Sequence, residues 1–225
     1  MKEPLMLVAG VDDAGRGSVI GPLVIAGILI EEVDIPKLVQ LGVRDSKLLS
    51  PTRRETLATE IKRLVKRYEV VKLSPAEIDK IVTTGKKLHR LNWLEAQAMA
   101  RVIELLKPDV AYVDASDVVE ERFKQQILEH LNFKIQIVSE HKADRNYPVV
   151  SAASIIAKVE RDREIADLKA KYGDFGCGYP TDPKTLEFLH RCLGSRGEYP
   201  EFVRKSWKPA KKIIKEKDSQ QTRLC

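Results

Sequence analysis

The sequence predicts an α/β protein, a mixed β-sheet flanked by helices with a helical C-terminal part. Two patterns carry that prediction. Two apolar runs of strand length, residues 5–11 and 23–30, follow one another with a loop and a Gly21-Pro22 turn between them but no helix, which implies antiparallel pairing. From Ser50 onward, strand-like and helix-like stretches alternate, as β-α-β units do.

The first strand closes on two adjacent acids, Asp12 and Asp13, and Gly15-Arg16-Gly17 turns the chain at once. Ser50 and Pro51 have the N-cap and N1 character of a helix start, and Leu57, Ile61, Leu64, Val65 and Tyr68 form one apolar stripe behind them. Residues 68–73 read as a third strand, and Ser74-Pro75-Ala76-Glu77 is a capping box opening a short helix. Leu91, Leu94, Ala98, Val102, Ile103 and Leu106 mark a longer helix that stops before Pro108. A fourth strand, 110–113, ends at Asp114, a helix is expected over 118–131, and a fifth strand over 133–138. The longest helix spans 151–172. Shorter ones are expected over 182–193 and 207–217, with no strand beyond Gly173. The expected organisation is a catalytic domain over 1–173, a helical region over 174–217 that packs on it and completes the substrate site, and a disordered tail over 218–225.

The 225 residues suffice for a sizeable core. With 39 basic and 33 acidic residues the net charge is +6, which favours a polyanionic partner. Cys177, Cys192 and Cys225 lack Cys-x-x-Cys spacing, so neither a zinc ribbon nor a disulfide framework is indicated. No signal-like segment precedes Leu5, and the longest apolar run is too short to span a bilayer. A monomer in the cytoplasm is expected, away from membranes. A charged fraction of 32% is consistent with a thermophilic source.

Two familiar glycine loops are excluded. Gly15, Gly17 and Gly21 are spaced one residue too widely for a dinucleotide fingerprint. Gly10 and Gly15 have P-loop spacing, but Arg16 and Gly17 stand where Lys and Ser/Thr belong.

The carboxylates point to a different chemistry. Asp12 and Asp114 each end a strand, and parallel neighbours would bring both to the carboxyl edge where open α/β sheets place ligand sites. Asp144, within His141-Lys142-Ala143-Asp144-Arg145, comes from a third element just ahead of the long helix. Carboxylates converging without Cys or paired His suit Mg²⁺ or Mn²⁺, and two such ions can clamp an in-line phosphoryl displacement. Taken singly, each acid has a plainer reading, Asp114 as a helix N-cap and Asp144 as an ion-pair partner.

The ordered motifs Val11-Asp12-Asp13-Ala14-Gly15-Arg16-Gly17, Asp45-Ser46-Lys47, Val113-Asp114-Ala115, His141-Lys142-Ala143-Asp144, the run 150–159 with Arg161-Asp162, and Gly178-Tyr179-Pro180 resemble type 2 ribonuclease H (ribonuclease HII). The resemblance runs from Gly10 to about Trp207. It implies an RNase H-like sheet and endonucleolysis of RNA in hybrids with DNA, with incision 5′ of single ribonucleotides in duplex DNA. Such cleavage leaves 3′-OH and 5′-phosphate ends. It further implies that Asp12, Asp13, Asp114 and Asp144 bind two divalent ions, Mg²⁺ or Mn²⁺. The backbone of Gly15, Arg16 and Gly17 would read the ribose 2′-OH, with Tyr179 packing on the neighbouring deoxyribose. One residue departs from the family: Asp13 stands where Glu is usual, one methylene shorter.

Lys47 and His141 are candidate phosphate contacts, against plainer readings as a solvated charge and a structural imidazole. Trp207 is expected to pack on the core, 152–159 to be a helix packed on the sheet rather than a site, and the lysines from Lys208 to form a solvated face. The tail shows no clear clamp-binding motif, which leaves a replication clamp open as partner. The competing functions are a junction resolvase-like nuclease of the same superfamily and a non-catalytic hybrid-binding module.

Overall fold

A computed structural model describes residues 5–43, 49–84 and 90–222. The chain forms two compact units, one of Met1–Ala14, Val24–Lys72 and Leu91–Glu160, the other of Gly15–Leu23, Leu73–Arg90 and Arg161–Cys225. They interleave along the chain, whereas the boundary expected from sequence is a single cut after residue 173.

The first unit is built on a five-stranded mixed sheet in the order β3-β2-β1-β4-β5. Strand β1 (Leu7–Ala14) pairs antiparallel with β2 (Leu23–Glu31), Val11 opposite Gly27. On its other side β1 runs parallel to β4 (Val110–Asp114), and β4 parallel to β5 (Gln136–Glu140). Strand β3 (Arg67–Leu73) forms the far edge, and every residue of it but Leu73 is exposed or half-buried. The antiparallel start and the parallel continuation are the arrangement the sequence predicts.

Helices cover the sheet where apolar stripes demand it. In α2 (Pro51–Leu64), Ser50 accepts the Arg53 N–H at 3.3 Å as N-cap, and Leu57, Ala58 and Ile61 are buried. Helix α4 (Arg90–Leu106) buries Leu94, Ala98, Val102, Ile103 and Leu106 of its predicted stripe and leaves Leu91 half-buried. The first part of α7 (Pro148–Tyr172) joins β1, β2 and α2 in one core, with Val149, Val150, Ala152, Ile155 and Ile156 against Val24, Ala26, Ile28 and Ile30. Helix α7 begins three residues earlier than expected because Pro148 fits the first helical turn.

Other differences from the expectation are local. Helix α1 (Ile35–Leu41), after a 3₁₀ turn at Glu32–Asp34, and the single turn α6 (Ala143–Asn146) are not marked by a long apolar period. Helix α5 (Glu120–Leu128) is shorter than predicted. Strand β5 begins three residues later than predicted and ends two later, because its register is fixed by β4 rather than by its own alternation.

The second unit has a core of Val19, Ile20, Phe175, Phe188, Leu189, Phe202 and Val203. Helix α3 (Pro75–Thr84) opens on the predicted capping box: Ser74 N–H donates to Glu77 Oε2 at 2.8 Å and Glu77 N–H to Ser74 Oγ at 3.3 Å. Helix α8 (Pro183–Arg196) is capped by Asp182, and α9 (Lys208–Thr222) continues past the expected end at Lys217, so 218–222 is helical rather than tail. No named strand lies beyond Gly173 among the described residues, although Ile20 and Val203 form an isolated bridge. No helix among the described residues is long and apolar enough to cross a membrane.

Gly10 sits where α7 crosses β1, and a Cβ there would fall inside the Val149 carbonyl and the Val150 nitrogen. Backbone cannot yield as a flexible side chain does. Gly10→Ala is therefore expected to cost more than about 3 kcal/mol, beyond the usual range for an added methyl group in a core. Denaturant unfolding of the purified variant checks this, and wild-type stability would contradict the packing.

Candidate active site

The carboxyl ends of β1 and β4 place Asp12 and Asp114 side by side. Val11 is opposite Val113 in the parallel pairing, so the next residues of both strands, Asp12 and Asp114, leave the same face. Asp12 is 5% exposed. Burial first, and then the neighbouring Asp114 carboxylate, raises its pKa to about 7, while hydrogen bonds from Ser154 and the Asp13 N–H, and the charge of Lys158, pull it down. The Asp13 N–H donates to Asp12 Oδ1 at 2.7 Å, and Lys158 Nζ donates to Ser154 Oγ at 2.7 Å.

Asp144 reaches the same end of the sheet through the backbone. Asp114 Oδ1 accepts the Ala143 N–H at 2.7 Å, which fastens the segment ahead of α7 to the end of β4. Lys142, at φ 59°, makes the left-handed turn that brings Ala143 round, and Asp144 follows it into a buried position. Asp13, half-buried, is the next residue of β1, and strand alternation starts its side chain from the face opposite Asp12. Glu140, the β5 residue opposite Asp114, accepts the Tyr147 hydroxyl at 2.7 Å. That bond and the carboxylate charge push the tyrosine up to about 12.

Both ring nitrogens of His141 face backbone carbonyls, Nδ1 3.2 Å from Ala115 O and Nε2 3.3 Å from Val118 O, so the imidazole lies along the loop after Asp114. That loop is also held by Asp117, 1% exposed, which binds Arg122 and accepts the Val119 N–H at 3.0 Å; the guanidinium holds its carboxyl well below the usual carboxylate range. Lys47 lies outside the described residues.

Among the described residues, no three acidic, histidine or cysteine side chains are arranged to hold a metal by themselves. The donor set still suits a hard cation. It supplies oxygen only, and Mg²⁺ is commonly held by one or two carboxylates with water and substrate phosphate completing its shell. A cation beside Asp12 and Asp114 would also offset the repulsion that raises the Asp12 pKa.

In the second unit, Gly15–Gly17 forms a compact turn. The Ser18 N–H donates to Gly15 O at 3.2 Å, and Gly15 has φ 86° with a would-be Cβ 2.9 Å from Pro22 O. Fold and packing thus require glycine at 15. They do not at 17: Gly17 is exposed, its φ is ordinary, and a Cβ would meet nothing closer than the Tyr179 ring at 3.8 Å. Half-buried Tyr179 carries the Arg161 guanidinium 4.8 Å from its ring centroid. Arg161 Nη2 donates to Cys177 O at 2.6 Å, and the Val19 N–H donates to Gly178 O at 2.8 Å, joining the tyrosine segment to the glycine turn.

The expectation that 152–159 is only a packed helix needs correction, since Ser154 and Lys158 act on Asp12. Their i, i+4 spacing in an otherwise apolar helix was the available signal. Arg161, which enters the sequence reading only within the Arg161-Asp162 motif, and Arg204, which nothing in its spacing marks, both bind backbone carbonyls in the second unit, those of Cys177 and of Arg16 and Gly21. Trp207 packs on the core of its unit, as expected, with the Arg204 guanidinium 5.0 Å from its ring centroid. Lys208, Lys211, Lys212 and Lys215 form an exposed face of α9, while Lys217 donates to Leu193 O.

Asp12 binds its proton more tightly in the folded protein than in the unfolded chain, where the reference value is 3.8. Its contribution to stability is fully present below that pH and is lost as pH rises through 7. Without divalent metal, the melting temperature of wild type should fall more steeply between about pH 5 and about pH 8 than that of Asp12→Asn. Parallel profiles would contradict the burial and repulsion assigned to this carboxyl.

The model of the family Ribonuclease HII matches residues 9–210. Ribonuclease HII of Thermococcus kodakarensis is 48% identical over 217 residues, covering 96% of this chain and 92% of its own. Among solved structures, ribonuclease H2 of Pyrococcus horikoshii superposes with a TM-score of 0.86 at 46% identity, covering 94% of this chain and 98% of the other. The ribonuclease HII of Archaeoglobus fulgidus, solved as a complex with PCNA, gives a TM-score of 0.82 at 47% identity, covering 90% and 96%.

Proposed function

Because the chain belongs to the ribonuclease HII family, and so is an endoribonuclease of the ribonuclease H fold, we propose that it degrades the RNA strand of RNA/DNA hybrids and incises on the 5′ side of single ribonucleotides in duplex DNA. The observation that carries the catalytic half of this reading is the buried Asp12 carboxyl beside Asp114 at the ends of two parallel strands. Two like charges forced together out of water favour a bound cation.

Asp12, Asp114 and Asp144 would hold two Mg²⁺ or Mn²⁺ ions, with Asp13 reaching them round the end of β1. Bound divalent ions supply an activated water and neutralise charge on the departing 3′ oxygen. Ser154 and Lys158 orient the Asp12 carboxylate and favour its ionised form. The 2′-OH is a recognition group, read by the backbone of Gly15, Arg16 and Gly17 with Tyr179 against the adjoining sugar. A site built to pair a hydroxyl rejects the analogue that lacks it. The glycine at 17, which the free protein does not require, supports this reading over a resolvase-like nuclease: its missing side chain leaves room for a ligand. The acidic pair speaks against a non-catalytic binder, since carboxylates repel phosphates. PCNA in the complex of the Archaeoglobus fulgidus relative supports a sliding clamp as an additional partner.

Asp12→Asn and Asp114→Asn should each lower single-turnover cleavage of a duplex carrying one ribonucleotide by at least a hundredfold in Mg²⁺ or Mn²⁺, with hybrid binding in Ca²⁺ retained. Full activity of either would overturn the metal assignment. For Asp13, removal to Ala should abolish most activity and Asp13→Glu should retain or raise it, measured across Mg²⁺ and Mn²⁺ concentrations; an unimpaired Ala variant would show this carboxylate to be dispensable.

Gly17→Ala tests the recognition half. Melting should be unchanged, since the methyl group meets only ordinary contact, while cleavage at a single ribonucleotide falls at least tenfold. A variant that cleaves normally would place the sugar elsewhere.

A further inference from the structure

We propose that Arg204 is a positioning residue for ribonucleotide selection, setting the direction in which the Gly17 N–H points. The inference rests on the assignment of Gly15–Gly17 as the 2′-OH reader. Arg204 is 0% exposed and heads the largest wholly buried side chains. Its Nη1 donates to Arg16 O at 2.9 Å and its Nε to Gly21 O at 3.1 Å, so one guanidinium grips both ends of the segment that follows β1. A planar fork can hold two carbonyls in fixed relation, which a single ammonium cannot.

The consequence follows from peptide geometry. In a trans peptide the carbonyl and the next N–H point in opposite directions. With the Arg16 carbonyl held inward by a buried guanidinium, the Gly17 N–H is turned outward at an exposed residue. Gly17 itself lies beside the Tyr179 ring, which a Cβ there would meet at 3.8 Å. The Gly15 carbonyl is already occupied by the Ser18 N–H, which prevents the turn from swivelling about its other peptide.

Arg204 is itself held. Its N–H donates to Val19 O at 2.9 Å, and the Gly21 N–H donates to Phe202 O at 2.9 Å, so 202–204 is laced to 19–21 by backbone bonds. Asp79 of α3 accepts the N–H groups of Lys205 and Ser206 at 2.8 and 3.0 Å, and the Ser206 hydroxyl at 2.5 Å. The Trp207 ring flanks the guanidinium. A wholly buried cation with this much scaffolding, aimed at the carbonyl of the turn's central residue, holds that turn in one conformation.

The test is binding selectivity, measured in Ca²⁺ so that no cleavage occurs. The readout is the ratio of dissociation constants for an all-DNA duplex and the same duplex with one ribonucleotide. Wild type should favour the ribonucleotide. Arg204→Gln should lower that ratio at least tenfold through weaker ribonucleotide binding, with all-DNA binding unchanged. If Arg204→Gln does not yield folded protein, Arg204→Lys, which keeps bulk and charge but not the fork, should lower the ratio at least threefold. A merely structural role would lower the melting temperature or the active fraction and leave the ratio intact. A ratio preserved in a folded variant, against a discriminating wild type, overturns the role of Arg204 alone. A wild type that binds both duplexes equally overturns the reader assignment and this role with it.

Discussion

The backbone of α7 lies directly on the backbone of β1, and Gly10 is the residue that allows it. Most of the carboxylate-bearing end of the sheet depends on that approach. It sets Ser154 within reach of Asp12 and Lys158 next to Ser154. It also buries Asp12 almost completely, which makes the carboxylate responsive to its neighbours rather than to solvent. An alanine-sized separation would let water in and remove both the hydrogen bond and the field. Packing and electrostatics are one constraint here.

The parallel step from β1 to β4 then supplies the second carboxylate at no additional strain. In-register parallel strands bring Asp12 and Asp114 out on one face, and Asp114 in turn anchors the Ala143 N–H that delivers Asp144. The arrangement is destabilising by itself, since like charges are pressed together. Like charges so placed favour the proposed cation, which would offset the repulsion between them.

The proposed recognition half is built on a different principle. The turn that follows β1 holds its own carbonyls through Ser18 and Arg204, and Tyr179 is steadied by Arg161 and by the Gly178 segment. The groups that the proposed reader would offer are a peptide N–H and an aromatic ring, both neutral. Glycine serves two distinct ends within three residues. At 15 the backbone needs it for a positive φ, and at 17 the free protein does not need it at all.

Much of this was legible in the sequence because it is local. Strand-length apolar runs, the Ser50-Pro51 start, the Ser74–Glu77 capping box and the stripe of α4 are properties of a few neighbouring residues, and they fold as their spacing dictates. The acids at the ends of β1 and β4 were legible for the same reason, since a carboxylate closing an apolar strand has few places to go. Tertiary structure alone decided what depends on distant residues meeting. The register of β5, the burial that raises the Asp12 pKa, the work done by Ser154 and Lys158, and the grip of Arg204 on a carbonyl 188 residues away have no local signature. Periodicity reports which face of an element is apolar, whereas a hydrogen bond across the chain is set by the packing of whole elements, which no short window of sequence contains.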